Sequence, residues 1–276
     1  MLFSFITGVS VFLAGFLWAR LDLAFWMIPV IAAGSWLALL LAAFLVLLIS
    51  CAVVDVKKPQ EHDSPYYRKV MEIVIETLVS VVRVRIRTTG LENTPRDGRF
   101  LLVCNHQSIA DPAILLHCFR RSQLAFISKQ ENQNMFIVGK VMHKTMSQLI
   151  NRENDREALK TILKCIQLIK DDEVSIGVFP EGGIKEEGKL AHFRSGVFKI
   201  AQKANVPIVV CTLKNSADVL PNFFKGKPTN VQMDLVGIIP AEELKGRTAV
   251  DIGEQVYGMM IANLGESFRP DSEQTT

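Results

Sequence analysis

Hydrophobic positions crowd the start of the chain and become periodic only later. Residues 2–19 are apolar, and a second apolar block runs from Leu23 to Val54, with only Arg20, Leu21 and Asp22 between them. The second block is about 30 residues long, more than the roughly 20 that cross a bilayer as a helix. Pro29 is expected to divide it and leave Val30–Val54 as the firmer span. The opening Met-Leu-Phe-Ser-Phe lacks the positive charge of a secretory leader, so the two blocks read as an uncleaved membrane hairpin. A single span preceded by an interfacial segment is the alternative. Lys57, Lys58, Arg68 and Lys69 come after the second block, and the positive-inside rule puts them and the rest of the chain on the cytoplasmic side.

Beyond the hairpin the pattern switches between two periods. Residues 65–82 carry Val70, Ile73, Val74, Leu78 and Val81 at mixed helical spacing, which predicts an amphipathic helix on the domain or in the membrane interface. Residues 82–87 alternate strictly, a strand with Arg83, Arg85 and Arg87 on one face. A solvated face is the plainer reading of those arginines, and contact with anionic lipid is the sharper one. Phe100–Cys104 is a short apolar run, a buried strand; 123–128, 148–150, 174–179, 206–213 and 231–239 read as further strands. Helices are expected at about 112–119, 132–143, 153–170, 192–204 and 241–263, the third with Ala158, Ile162, Ile166 and Ile169 on one face. Alternating strands and helices predict an α/β fold, a mixed, largely parallel sheet flanked by helices, with an N-terminal transmembrane helical hairpin. The expected division is 1–56, a membrane anchor of two hydrophobic helices; 57–98, a linker, amphipathic helix and first strand; 99–214, the core that carries the motifs; and 215–276, a C-terminal strand and helix that complete the domain.

Composition narrows the function. The 276 residues are 49% hydrophobic with a formal net charge of +3 and no long basic block, which argues against nucleic acid as a partner. The five cysteines show no C-x-x-C spacing and sit mostly in apolar runs. They read as free thiols in a reducing cytosol, with no metal site.

Candidate chemistry gathers where strands end in polar loops, the usual ligand edge of an open α/β sheet. Asn105-His106-Gln107-Ser108-Ile109-Ala110-Asp111-Pro112 comes after the first buried strand, with Asp111-Pro112 as an N-cap and helix start. A carboxylate five positions past a histidine, across such a bend, can accept one ring N–H and leave the other nitrogen to act as a base. Leu149-Ile150-Asn151-Arg152 offers a guanidinium for a phosphate or carboxylate, or a surface salt bridge. Phe179-Pro180-Glu181-Gly182-Gly183 presents a carboxylate beside two glycines that admit a close ligand, or is a plain turn. Phe193-Arg194-Ser195-Gly196 opens a helix whose N–H groups can meet an anion. His62 lies in a polar linker, His117 and His143 sit in helices without a matching carboxylate pattern, and His192 lies near the glycine loop. Phe223-Phe224-Lys225-Gly226-Lys227 reads as a loop with one buried Phe, with a dip into the membrane interface as the alternative.

Taken together these stretches resemble the glycerolipid and lysophospholipid acyltransferases. Asn105-His106…Asp111 is similar to their N-H-x-x-x-x-D signature and Phe179-Pro180-Glu181-Gly182 to their F-P-E-G motif. Leu149-Ile150-Asn151-Arg152 resembles F-I-D-R, Ser128-Lys129-Gln130-Glu131 the K-x-E segment, and Val206-Pro207-Ile208-Val209 the V-P-I-V block. The resemblance covers roughly residues 99–214, in the family's order. Departures lie beside the glycines, where the family's Thr-Arg or Thr-Ser is Gly183-Ile184, and at Asn151, Met146 and Val210.

The resemblance implies a glycerol-3-phosphate acyltransferase-like fold. It also implies transfer of a fatty acyl group from acyl-CoA or acyl-carrier protein to the sn-2 hydroxyl of 1-acyl-glycerol-3-phosphate in the membrane. His106 would be the general base and Asp111 its orienting partner. Arg152, with Lys129, would hold the acceptor phosphate, Gly182 and Gly183 would offer N–H groups to the oxyanion, and Glu181 would orient a hydroxyl or stabilise the loop. Neither a metal nor an organic cofactor is implied. The alternatives are another lysophospholipid acceptor, a lipid thioesterase, or a non-catalytic membrane-anchored lipid-binding module.

Overall fold

The structure, a computed structural model, describes residues 2–151, 153–184 and 188–270. Two apolar helices come first, α1 (Leu2–Leu21) and α2 (Met27–Ala52), packed against each other as a hairpin. Both are long and apolar enough to cross a bilayer. Pro29 does not divide α2. It stands in the first turn, where its missing N–H has no helical partner to lose, so the helix runs unbroken for 26 residues, about 39 Å. Trp36 Nε1–H donates to Thr7 Oγ1 at 3.2 Å across the pair.

The far end of α2 is fastened to the rest of the chain. Tyr67 donates its hydroxyl to the Ser50 carbonyl at 2.7 Å, Tyr66 and Ser50 share a 2.6 Å hydroxyl contact, and Lys140 donates to the Val54 carbonyl. The amphipathic helix α3 (Pro65–Val81) then packs on the domain. Arg68, one of the basic residues after the second apolar block, does not face solvent. It is buried, paired with Asp63 at 2.7 Å, and its Nη1 and Nη2 donate to the carbonyls of Leu124 and Thr145 at 2.6 and 3.2 Å.

Seven strands come next: β1 (Val84–Thr89), β2 (Leu101–Cys104), β3 (Leu124–Lys129), β4 (Gln148–Ile150), β5 (Ser175–Val178), β6 (Ile208–Lys214) and β7 (Thr229–Ile239). They form one sheet in the order β1-β7-β6-β2-β5-β3-β4, in which only β6 and β7 pair antiparallel. The helices between and after them are α4 (Asp111–Cys118), α5 (Phe136–Lys144), α6 (Asp155–Lys170), α7 (Lys199–Ala204), α8 (Val219–Phe224) and α9 (Ala249–Leu264). Strand alternation sends side chains to two cores. Leu101, Val103, Ile176, Val178, Ile208 and Val210 meet α6, α7 and α9 on one face; Leu102, Cys104, Phe126, Val209 and Cys211 meet α4 on the other.

Helix ends explain where the expected ranges shift. Asn154 caps α6 by accepting the N–H groups of Arg156 and Glu157. Gly246, at φ +75°, breaks the expected 241–263 helix, and the Thr248–Asp251 capping box starts α9 instead. Residues 195–198 form a 3-10 turn ahead of α7, so no long helix opens at Arg194.

Candidate active site

The carboxyl ends of β6, β2, β5, β3 and β4 lie side by side along one edge of the sheet. His106 stands just past β2. The preceding Asn105 extends the strand with its side chain, donating Nδ2–H to the Leu213 carbonyl at 2.9 Å and accepting the Leu213 N–H at 2.7 Å. The loop is thereby locked to β6 before it turns. Asp111 is not the N-cap; Ala110 occupies that position, and Asp111 is the first residue of α4. Its fully buried carboxylate points back into the loop, where Oδ2 accepts from Gln107 N–H at 2.6 Å and Ser108 N–H at 2.7 Å and lies 2.9 Å from His106 Nδ1. Two backbone donors fix the aim of the carboxylate, a charge-assisted arrangement suited to holding the ring.

The ring has a second support. Phe179, one residue past β5, stacks on His106 with centroids 4.0 Å apart and planes 16° from parallel. Phe126 of β3 stacks on the far side of Phe179 at 5.4 Å and 11°. Room for Phe126 comes from Gly177, where a Cβ would lie 2.5 Å from the Phe126 ring. Neither Phe126 nor Gly177 stands out in the sequence, because both read as ordinary strand residues.

Glu181 lies in a turn closed by the Gly182 N–H donating to the Phe179 carbonyl at 3.1 Å. Pro180 sits where that turn wants φ near −65°, and Gly182 has φ +74°. The buried Glu181 carboxylate accepts the His106 N–H at 2.6 Å and the Ala191 N–H at 3.0 Å, so it ties the β2 and β5 loops together. The Gly182 N–H is therefore engaged in its own turn, which leaves Gly183 as the glycine donor for a ligand. A Cβ on Gly182 would lie 2.8 Å from Nε of Arg194, whose exposed side chain crosses the turn. In the sequence Arg194 reads only as a helix start.

Lys129 stands exposed at the end of β3, two strands from β2. Arg152 lies outside the described residues. Cys104 and Cys211 are opposite each other in β2 and β6, buried, and burial pushes both thiols well up, so neither is a nucleophile at neutral pH.

A largely parallel, helix-flanked sheet with a carboxylate-held histidine and a glycine turn at its carboxyl edge defines a class, the α/β proteins that carry a His–Asp pair at the sheet edge. The signature of the Acyltransferase family matches residues 85–214. The chain is 30% identical over 189 residues to the probable 1-acyl-sn-glycerol-3-phosphate acyltransferase of Mycoplasma pneumoniae, covering 65% of this chain and 69% of that one. It is 33% identical over 156 residues to a 1-acyl-sn-glycerol-3-phosphate acyltransferase of Chlamydomonas reinhardtii, covering 56% of this chain and 45% of that one. The chloroplastic Arabidopsis thaliana relative is 30% identical over 166 residues, with 59% of this chain and 46% of that one covered. The chain thus spans under half the length of the algal and plant relatives. The crystal structure of the 1-acyl-sn-glycerophosphate acyltransferase of Thermotoga maritima shares the fold, with a TM-score of 0.61 at 22% identity over 71% of this chain and 78% of that one. The chain belongs to the acyltransferase family.

Proposed function

We propose that the protein is a membrane-anchored acyltransferase that moves a fatty acyl group from a thioester, acyl-CoA or acyl-carrier protein, to the sn-2 hydroxyl of 1-acyl-glycerol-3-phosphate, giving phosphatidate. The observation that carries this reading is the His106–Asp111 pair at 2.9 Å, ring-stacked on Phe179 at the sheet's carboxyl edge. The names of the relatives support the acceptor.

Asp111 keeps the proton on Nδ1, so Nε2 is the base. The acceptor hydroxyl attacks the thioester carbonyl carbon as its proton passes to Nε2. The tetrahedral intermediate collapses with cleavage of the C–S bond, and the imidazolium returns the proton to the departing thiolate. Products are phosphatidate and a free thiol. The Gly183 N–H is the candidate donor to the oxyanion. Arg194 and Lys129, with Arg152, are the candidate cations for the acceptor phosphate, and Arg194 lies beside Gly182, next to the Gly183-Ile184 departure from the family's usual charge. Glu181 acts by holding the two loops in register. The two N-terminal helices hold the domain at the cytoplasmic leaflet, where the acceptor resides.

The test supplies membranes bearing the protein with labelled acyl-CoA or acyl-carrier protein and a panel of lysolipids. Phosphatidate formation that is lost in His106→Ala is the expected result. Free fatty acid without acceptor consumption, or full activity in His106→Ala, rejects the proposal.

A further inference from the structure

The chain reverses at the β6–β7 pair. β6 ends at Lys214, opposite Gln232, whereas β7 begins three residues earlier at Thr229. At about 3.3 Å per residue, the turn before β7 stands roughly 10 Å past the level where β6 stops. Asn105 lies beside Leu213 at that same level, so this turn projects on the His106 side of the sheet. The connection starts at Ser216, whose hydroxyl donates to Gln107 Oε1 at 3.4 Å, and runs through α8 to Phe224.

The expectation of a buried Phe in this turn fails. Phe224 is 82% exposed and Phe223 40%. They pack edge to face at 5.5 Å, and Lys225 and Lys227 come directly after them. The exposure is held in place by the backbone. Gly226, at φ +66°, closes the helix by donating to the Phe223 carbonyl at 3.0 Å, and the Lys227 N–H donates to Asn222 O at 2.8 Å. Arg83 Nη1 donates to the Gly226 carbonyl at 2.9 Å, and the Thr229 N–H to the Arg83 carbonyl at 3.3 Å. Arg83 stands just past the end of α3, where Leu78 and Val81 are about half exposed. Neither 77–91 nor 219–230 contains an acidic residue.

We propose that the Phe223–Lys227 turn and the last turn of α3 form a membrane-docking tip that seats the His106 edge on an anionic bilayer surface. A rigid pair of exposed aromatics flanked by Arg83, Lys225 and Lys227 matches the amphipathic chemistry of the headgroup layer, with rings at the acyl boundary and cations at the phosphates. The bilayer is favoured over a protein partner because the same domain is already fastened to two bilayer-length helices through Ser50 and Val54. The hairpin fixes distance from the membrane, while the tip fixes which edge of the domain faces it. The inference goes beyond the proposed chemistry and holds for any lipid acceptor.

The test uses the full chain in phosphatidylglycerol/phosphatidylcholine vesicles and in phosphatidylcholine alone. Phe224→Trp adds one reporter, read by difference from the parent with Trp18, Trp26 and Trp36. In anionic vesicles the added emission shifts to the blue and loses at least half its intensity to lipids brominated near the headgroup. Lys225→Glu with Lys227→Glu reverses most of that quenching. Water-like, unquenched emission overturns the proposal, and so does a blue shift without bromolipid quenching, which contact with a second copy or another protein produces. The readout is depth rather than turnover, so failure here and failure of the acyl-transfer reading are separate results.

Discussion

At His106 the demands are angular. The proposed base must present one ring nitrogen to substrate while the other stays on Asp111, and the contacts with Asp111 and Phe179 hold the ring. Asp111→Asn keeps the shape of the side chain but presents an amide whose favoured oxygen contacts with Gln107 and Ser108 N–H leave no clean acceptor for Nδ1–H. The variant is expected to fold as the parent does and to lose about 10²–10⁴ in kcat, measured as phosphatidate formed per unit time with matched thermal melts. Gly177→Ala tests the stack from behind. The added methyl must move the Phe126 ring, and through Phe179 it disturbs His106. A stability loss of about 1–3 kcal/mol by denaturant titration, with a fall in kcat larger than any change in KM, is the expected outcome. Arg194→Ala is expected to raise KM for the phosphorylated acceptor by about tenfold while leaving KM for the thioester unchanged, the loss of one charge-assisted contact.

Among the elements, α3 is the bracket between anchor and sheet. Its first turn meets Ser50 of α2, and Arg68 gathers Asp63, the start of β3 and the end of α5 in one buried cluster. Arg68→Ala would strand the Asp63 carboxylate and leave two carbonyls without their donor. A cost of about 3–5 kcal/mol is expected from unfolding titrations in detergent, whereas Lys69→Ala, one residue along on an exposed pair, is expected to stay within about 0.5 kcal/mol. The same bracket means that the hairpin and domain are tied by directional bonds rather than by a slack tether.

For the molecule as a whole, acid is the revealing variable. Burial holds His117 and His143 below the ordinary 6.5, with Arg120 and Lys144 adding to the effect. The unfolded chain then binds more protons than the folded one as pH falls through 6.5, so stability from these groups is full above that pH and is lost below it. His62 works in the opposite sense, because its bond to Glu173 raises it, but that pair is open to solvent and screened. The melting temperature is expected to drop between about pH 6.5 and 5, and His117→Asn with His143→Gln to flatten that drop.

The layers of the fold were legible in the hydrophobic periods, since one-face alternation and helical stripes come directly from burial. The His106–Asp111 pair was legible too, because a histidine and a carboxylate flank a strand-to-helix bend within six residues. What escaped was set by contacts distant in sequence. Nothing near Gly177 says that its missing side chain makes room for a ring 51 positions earlier. Arg68 carries the same charge as its neighbours Lys57 and Lys69, and only the fold shows it buried. The exposure of Phe224 runs against hydrophobic preference, in a turn held by the Arg83 guanidinium on the Gly226 carbonyl and the Gly226 N–H on the Phe223 carbonyl.

The three-ring stack of Phe126, Phe179 and His106 has a spectroscopic consequence. An imidazole lying flat on a phenyl face sits in that ring's shielding cone, so the carbon-bound protons of His106 resonate upfield of those of exposed histidines. His106 can thus be followed at a single resolved signal, and Phe179→Leu returns that signal to the crowded region. The ring that steadies the imidazole also makes it visible.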